Sequence, residues 1–124
     1  MEPEPLYHLA LAADWDAAVA AGSYTMSTVG RTLEEEGFIH LSRGRQIAAT
    51  AARFYRNRRD VVLVTLDPAR LAPEVREEPV GDDTFPHLYG PLDPAAAVAV
   101  TPLPLGADGV VVVPPGLGFE AGSR

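Results

Sequence analysis

Apolar and polar positions alternate along Leu6-Tyr7-His8-Leu9-Ala10-Leu11. A period of two predicts a first strand with Tyr7, Leu9 and Leu11 on one face and Leu6, His8 and Ala10 on the other. The pattern then becomes helical. Asp14 suits an N-cap and Gly22 a stop, so residues 15–21 are expected to form a helix that buries Trp15, Ala18 and Val19. Residues 23–31, with Tyr24, Ser27 and Thr28, show no clear period and are expected to form a flexible segment over a site. Thr32-Leu33-Glu34-Glu35-Glu36 reads as a capped helical turn with acids near its positive end, closed by Gly37, and it leads into a strand over 38–41.

From 45 to 55 the spacing predicts a helix, with Ile47, Ala51, Phe54 and Tyr55 on an apolar face and Gln46, Thr50 and Arg53 on a polar one. Residues 61–66 are β-branched and nearly all apolar, as in a strand buried on both faces, and Asp67-Pro68 ends it. A short strand over 73–78 alternates around Val75 and leaves Glu77 and Glu78 at its rim, before a polar turn over 79–84. Phe85-Pro86-His87-Leu88-Tyr89-Gly90-Pro91, punctuated by proline and glycine, is expected to be a rigid loop with aromatic walls. Asp93-Pro94 starts one turn over 95–97, and 98–100 and 110–113 look like closing strands. Strands outnumber helices, and both main helices fall in the first half, so the fold class is α+β rather than alternating βαβ. One small domain over 6–115 is expected, between a flexible N-terminus (1–5) and a disordered tail (116–124).

Composition narrows the function more than the fold. The chain has no cysteine, which removes thiolate metal sites and a cysteine nucleophile. Its apolar runs are too short to span a bilayer, and Met1-Glu2-Pro3-Glu4-Pro5 lacks the positive charge of a secretory signal. The expectation is a cytoplasmic protein without membrane contact. A net charge of −7 argues against general nucleic-acid binding. All ten basic residues are arginine, and Arg43, Arg45, Arg53, Arg56, Arg58 and Arg59 fall in a stretch without an acid. GC-rich codon usage accounts for such a bias, and so would a patch that grips phosphate or carboxylate through guanidinium forks.

Candidate chemistry gathers on the three histidines, His8, His40 and His87, each flanked by large apolar residues. Three imidazoles on separate elements would suit either acid–base work or an open zinc site, but no paired spacing such as His-x-x-x-His is present, and no metal ligands are assigned. Glu77 or Glu78 would supply a carboxylate for a cationic transition state or for proton abstraction. Glycine-rich dinucleotide and phosphate loops and the Gly-x-Ser-x-Gly elbow are missing.

A series of motifs runs through the chain in order: Tyr7-His8-Leu9; Trp15 with Gly22 and Tyr24; Glu36-Gly37-Phe38-Ile39-His40-Leu41-Ser42 with Gln46 and Arg53-Phe54-Tyr55. It continues through Leu66-Asp67-Pro68, Val75-Arg76-x-Glu78 and Phe85-Pro86-His87-Leu88-Tyr89-Gly90-Pro91-Leu92. From about residue 6 to about residue 100 this series closely resembles the DUF952 family of small bacterial proteins. That family resembles the ADP-ribosyltransferase superfamily, which implies a split mixed or antiparallel sheet with two main helices, clasping a cleft for NAD. Carried over by position, the resemblance makes His8 the first-strand residue beside the NAD ribose. His40 and Ser42 would line the pocket, Gln46 or Arg53 would meet phosphate or amide, and Glu78 would be the late glutamate. The tyrosine of the toxin-like pattern is not identifiable, and the histidine-rich loop around His87 is not part of the usual pattern.

Candidate catalytic residues are therefore His8, His40, Glu78 and His87, and candidate cofactor-binding residues are Ser42, Gln46, Arg53 and Tyr89. The implied ligand is a small nucleotide of the NAD kind, and the implied activity ADP-ribosyl transfer or NAD glycohydrolysis. Two alternatives stand beside it: a histidine-based acid–base or metal-assisted enzyme acting on another small molecule, and a non-catalytic ligand- or partner-binding module.

Overall fold

A computed structural model describes residues 4–114, so the expected tail over 116–124 lies outside the described residues. Strand β1 (Leu6–Leu11) runs antiparallel to β5 (Val61–Leu66), which pairs on its other side with β8 (Ala97–Pro102). β1 and β5 are buried on both faces, as the unbroken apolar run of β5 predicts, whereas β8 is largely exposed. Leu6 and Ala10 pack with Val62, Val64 and Leu66 into one core, which also takes in Trp15, Tyr24, Ile39 and Leu88. Tyr7 and Leu9 pack with Val61 and Leu63 into the other, against Ile47, Ala51 and Tyr55.

The remaining elements fit around that sheet. Helix α1 (Ala12–Ala21) follows β1 directly, capped at its end by Gly22 in the left-handed conformation (φ 84°). It starts three residues before the expected point, because Leu11 and not Asp14 takes the N-cap position, and no side chain caps it. Trp15 and Ala18 are buried, but Val19 is 57% exposed: the helix touches the sheet along a narrower stripe than its sequence suggests. The segment expected to be flexible is instead a small hairpin of β2 (Met26–Thr28) and β3 (Arg31–Thr32). Tyr24 anchors its entry through two backbone bonds with Leu92 (2.8 and 2.9 Å) and through its buried ring.

Helix α2 (Leu33–Glu36) carries the predicted capping box, with Thr32 Oγ1 accepting from Glu35 N and Glu35 Oε1 accepting from Thr32 N. Gly37 then turns left-handed (φ 89°) and delivers β4 (Ile39–His40). A 3-10 turn over Gly44–Gln46 leads into α3 (Ile47–Phe54). Phe54, expected on the apolar face, is 42% exposed at the last residue of α3.

The second sheet has the order β4, β7 (Asp83–Leu88), β6 (Val75–Val80), all antiparallel. Residues 85–88 are thus strand and not loop. Pro86 had argued against a strand, since proline cannot complete a ladder. Its carbonyl, however, accepts from Leu41 N on the β4 side (3.0 Å), so its missing N–H lies on that side too, where the chain is already leaving. Leu41 and Ser42 carry the chain across to the first sheet, where Ser42 and Tyr7 exchange backbone bonds of 2.9 and 2.8 Å. Two antiparallel sheets joined at this seam give the split arrangement; no mixed pairing occurs among the described strands. Residues 110–113 form no strand beyond a single bridge between Leu105 and Val111. No described helix is long and apolar enough to cross a membrane.

Candidate functional site

Strand register brings two of the three histidines together. His40 lies directly opposite His87 in the β4/β7 pair, and opposed residues project to the same face, so the rings stand 5.3 Å apart between centroids. Along β7 the same face carries Phe85, whose ring lies 5.1 Å from that of His40. Phe38, swung out by Gly37, stacks flat on His87 at 3.9 Å and 13°. Tyr89, held in line by its amide bond to Glu74 O (2.8 Å), continues the row at 5.6 Å from Phe38. What the sequence presents as an aromatic-walled loop is a comb of rings at period two.

Glu78 lies diagonally across from His87, since Arg76 is the directly opposed residue. Its Oε1 accepts two hydrogen bonds, from His87 Nδ1 at 2.7 Å and from the Tyr89 hydroxyl at 2.5 Å. Those bonds, the tyrosine's first and the imidazole's second, hold the Glu78 carboxyl below the usual carboxylate range. A carboxylate only accepts, so Nδ1 carries a proton, and in the neutral ring the lone pair of the imidazole lies on Nε2. Nε2 is buried and finds no partner among the described residues, and the same is true of Ser27 Oγ. Both residues line one open cleft of about 380 Å3, with His40 and Thr28 beside them. Its walls are apolar, from Val29, Phe38, Phe54 and Val80, and Arg31 at the rim is ion-paired to Glu36 at 2.6 Å.

His40, Phe54 and Val80 also border a second hollow of about 380 Å3, so the two adjoin across His40. Arg53, Phe85 and Asp82 line that second lobe, and the Arg53 guanidinium lies 5.1 Å over the Phe54 ring. Burial, and then the neighbouring His87, push the His40 imidazole down to about 4, so it is neutral near pH 7.

The other expected site residues are placed differently. His8 is 2% exposed, and both its nitrogens are engaged: Nδ1–H donates to His40 O (2.8 Å), and Nε2 accepts from the Tyr24 hydroxyl (2.7 Å). Burial pushes its imidazole down to about 4. It borders a water-sized hollow of about 10 Å3, together with Ser27, His40 and Ser42, and has no nitrogen left for a ribose. Ser42 is buried at the seam between the sheets. Gln46 is likewise committed, its amide donating to Asp83 Oδ2 (2.9 Å) and Thr84 O (2.8 Å) and its oxygen accepting from Arg43 N (2.8 Å). It splices the start of α3 to β7 and does not line either lobe. Tyr89 holds Glu78, and Glu78 stands behind His87, outside both lobes. Three of the six arginines of the arginine-rich stretch are ion-paired, Arg43 to Glu77, Arg45 to Asp83 and Arg58 to Asp60. Of the three histidines, then, two converge on the cleft, and the carboxylate reaches it only through one of them.

Ser27 and Thr28 do lie over the site, as expected of their segment, but no role was assigned to either, and a three-residue strand is too short to leave a periodic signal. Phe38 was the apolar neighbour of a histidine and nothing more until the β4/β7 register stacked it on another one. Among the described residues no three His, Asp or Glu side chains gather to hold a metal ion.

The chain belongs to the DUF952 family, described as "Protein of unknown function (DUF952)", whose model matches residues 9–100. It is similar to protein CC0527 from Caulobacter crescentus. The crystal structure of that protein superposes with a TM-score of 0.78 at 37% identity, covering 87% of this chain and 93% of that one. Its solution NMR structure superposes with a TM-score of 0.72 at 37% identity, covering 86% and 90%. No curated protein matches the chain. Family and fold are thus a small DUF952 α+β domain with antiparallel sheets.

Proposed function

We propose that the two-lobed cleft binds a small nucleotide of the NAD class and that His87, oriented by Glu78, is its acid–base group. The observation that carries this reading is the buried Nε2 of His87, left without a partner among the described residues on a side chain that lines an open cleft, while Nδ1 is fixed by a carboxylate. A buried polar atom without a partner costs about 1–3 kcal/mol, which folding alone has no reason to retain. A ligand donor would relieve that cost. Two lobes meeting at His40 suit a ligand with two bodies, and Arg53 at the rim of the second suits its phosphates.

The split sheet, hinged where Ser42 meets Tyr7, supports an ADP-ribosyltransferase-like fold, and with it chemistry at the nicotinamide–ribose bond. In that scheme His87 Nε2 takes the proton of an attacking water or acceptor hydroxyl as the new C–O bond forms. The C–N bond breaks, and nicotinamide leaves as a neutral molecule. Glu78 supports the imidazolium from behind and does not face the ribose itself, so in this scheme it acts through His87 instead of meeting the oxocarbenium-like charge directly. His8 has no part in the chemistry.

Calorimetric titration with NAD and with ADP-ribose tests the reading. The expected result is sub-millimolar binding that is lost or much weakened in His87→Ala; absence of heat at millimolar ligand would discard the nucleotide assignment.

A further inference from the structure

We infer that the group received at the His87 end of the cleft is uncharged, offers an O–H or N–H donor, and is preferred over a carboxylate of the same size. This rests on the reading above only in taking that cleft as the ligand site.

Two buried atoms set the requirement. Nδ1–H of His87 is spent on Glu78, so in the neutral ring Nε2 presents a lone pair, and only a donor satisfies it. Ser27 Oγ, buried to 1% exposure and equally unpartnered, can donate or accept, so a hydroxyl reaching both atoms would serve each.

The charge balance sets the preference. Apart from the histidines, the charged residues lining this lobe are Arg31 and Glu36, and they are paired with each other at 2.6 Å. His40 adds no positive charge near neutral pH, because burial keeps it neutral. The Glu78 carboxylate stands directly behind the imidazole and would repel an incoming anion. With the His87 ring neutral, an entering carboxylate would therefore give up hydration against Val29, Phe38, Phe54 and Val80 and find no unpaired cation among the lining residues in return. An alcohol loses far less on entry and regains its bonds at Nε2 and Oγ.

NMR titration of the full chain with three matched probes, benzyl alcohol, benzoate and benzyl methyl ether, tests this through the amide signals of Ser27, Phe38 and His87. The alcohol is expected to bind about fivefold or more tighter than either of the others, the ratio that one net hydrogen bond supplies. Ser27→Ala should reduce the preference over the ether, and His87→Phe, which keeps a ring against Phe38, should abolish it. Ser27→Ala alone suffices should the larger change disturb folding. Benzoate binding as tightly as the alcohol, equal binding of alcohol and ether, or no response of these three amides to any probe would each overturn the inference. Failure of NAD and ADP-ribose to bind while the alcohol preference persists would remove the nucleotide assignment and leave this one standing.

Discussion

Glu78 accepts from the His87 ring at 2.7 Å and from the Tyr89 hydroxyl at 2.5 Å on a single oxygen, and this double bond pattern sets the proton of the imidazole. Removing the carboxylate in Glu78→Ala should let the proton redistribute between the ring nitrogens. Any proton-transfer turnover in the cleft should then fall by about 100-fold or more, with KM little changed, because the group acts on His87 and not on ligand. Parallel loss of kcat and affinity would instead place Glu78 against the ligand. His8 obeys the opposite logic. Replacing it with alanine leaves the Tyr24 hydroxyl and the His40 carbonyl buried without partners, which should cost roughly 3 kcal/mol in denaturant unfolding. A loss within experimental error would show that those two bonds contribute nothing.

At the scale of elements, the turn from α2 into β4 places Phe38 and His40. Gly37 adopts φ 89°, and a Cβ there would meet nothing within 4 Å, so Gly37→Ala should cost about 1–2 kcal/mol through backbone conformation alone. Thr32→Ala, which breaks the capping box, should cost about 1 kcal/mol. Equilibrium unfolding of both variants checks these values, and a neutral Gly37→Ala would mean that the turn relaxes out of the left-handed region. This turn was legible in the sequence, because its signals are local: a cap, a run of acids and a glycine. So were β1 and β5, whose periodicity spans six residues each. β7 was not, because Pro86 reads as a breaker unless one knows that its N–H side faces a departing chain. His40 and His87 were both singled out as candidates, but only cross-strand register says that they stand opposite each other while His8 is sealed behind them. Register is set by pairing across 47 positions of chain, and no local pattern encodes it.

For the whole molecule, two imidazoles buried as neutral rings make stability depend on acid. His8 and His40 are each held down to about 4 from an ordinary 6.5. Below pH 6.5 the unfolded chain takes up these protons and the folded chain does not, so stability is full above that point. It falls as pH drops, and levels off near pH 4, where the folded rings also charge. The fully buried His8 alone accounts for at most about 3 kcal/mol of this loss. Glu78, held below its ordinary carboxylate range, adds a separate loss at lower pH, as its own charge is neutralised. Denaturant midpoints measured across this range should therefore drop between pH 6.5 and 4; a flat profile there would mean that His8 is not sealed as a neutral ring.

The most direct test of the cleft is the ring-nitrogen NMR spectrum of the three histidines at mildly alkaline pH, with and without NAD. His87 should appear protonated at Nδ1 and bare at Nε2, with Nε2 shifting on ligand addition while both nitrogens of His8 stay fixed. A His87 ring that carries its proton on Nε2, or a ligand response confined to His8, would contradict the assignment of His87 as the group that meets the ligand.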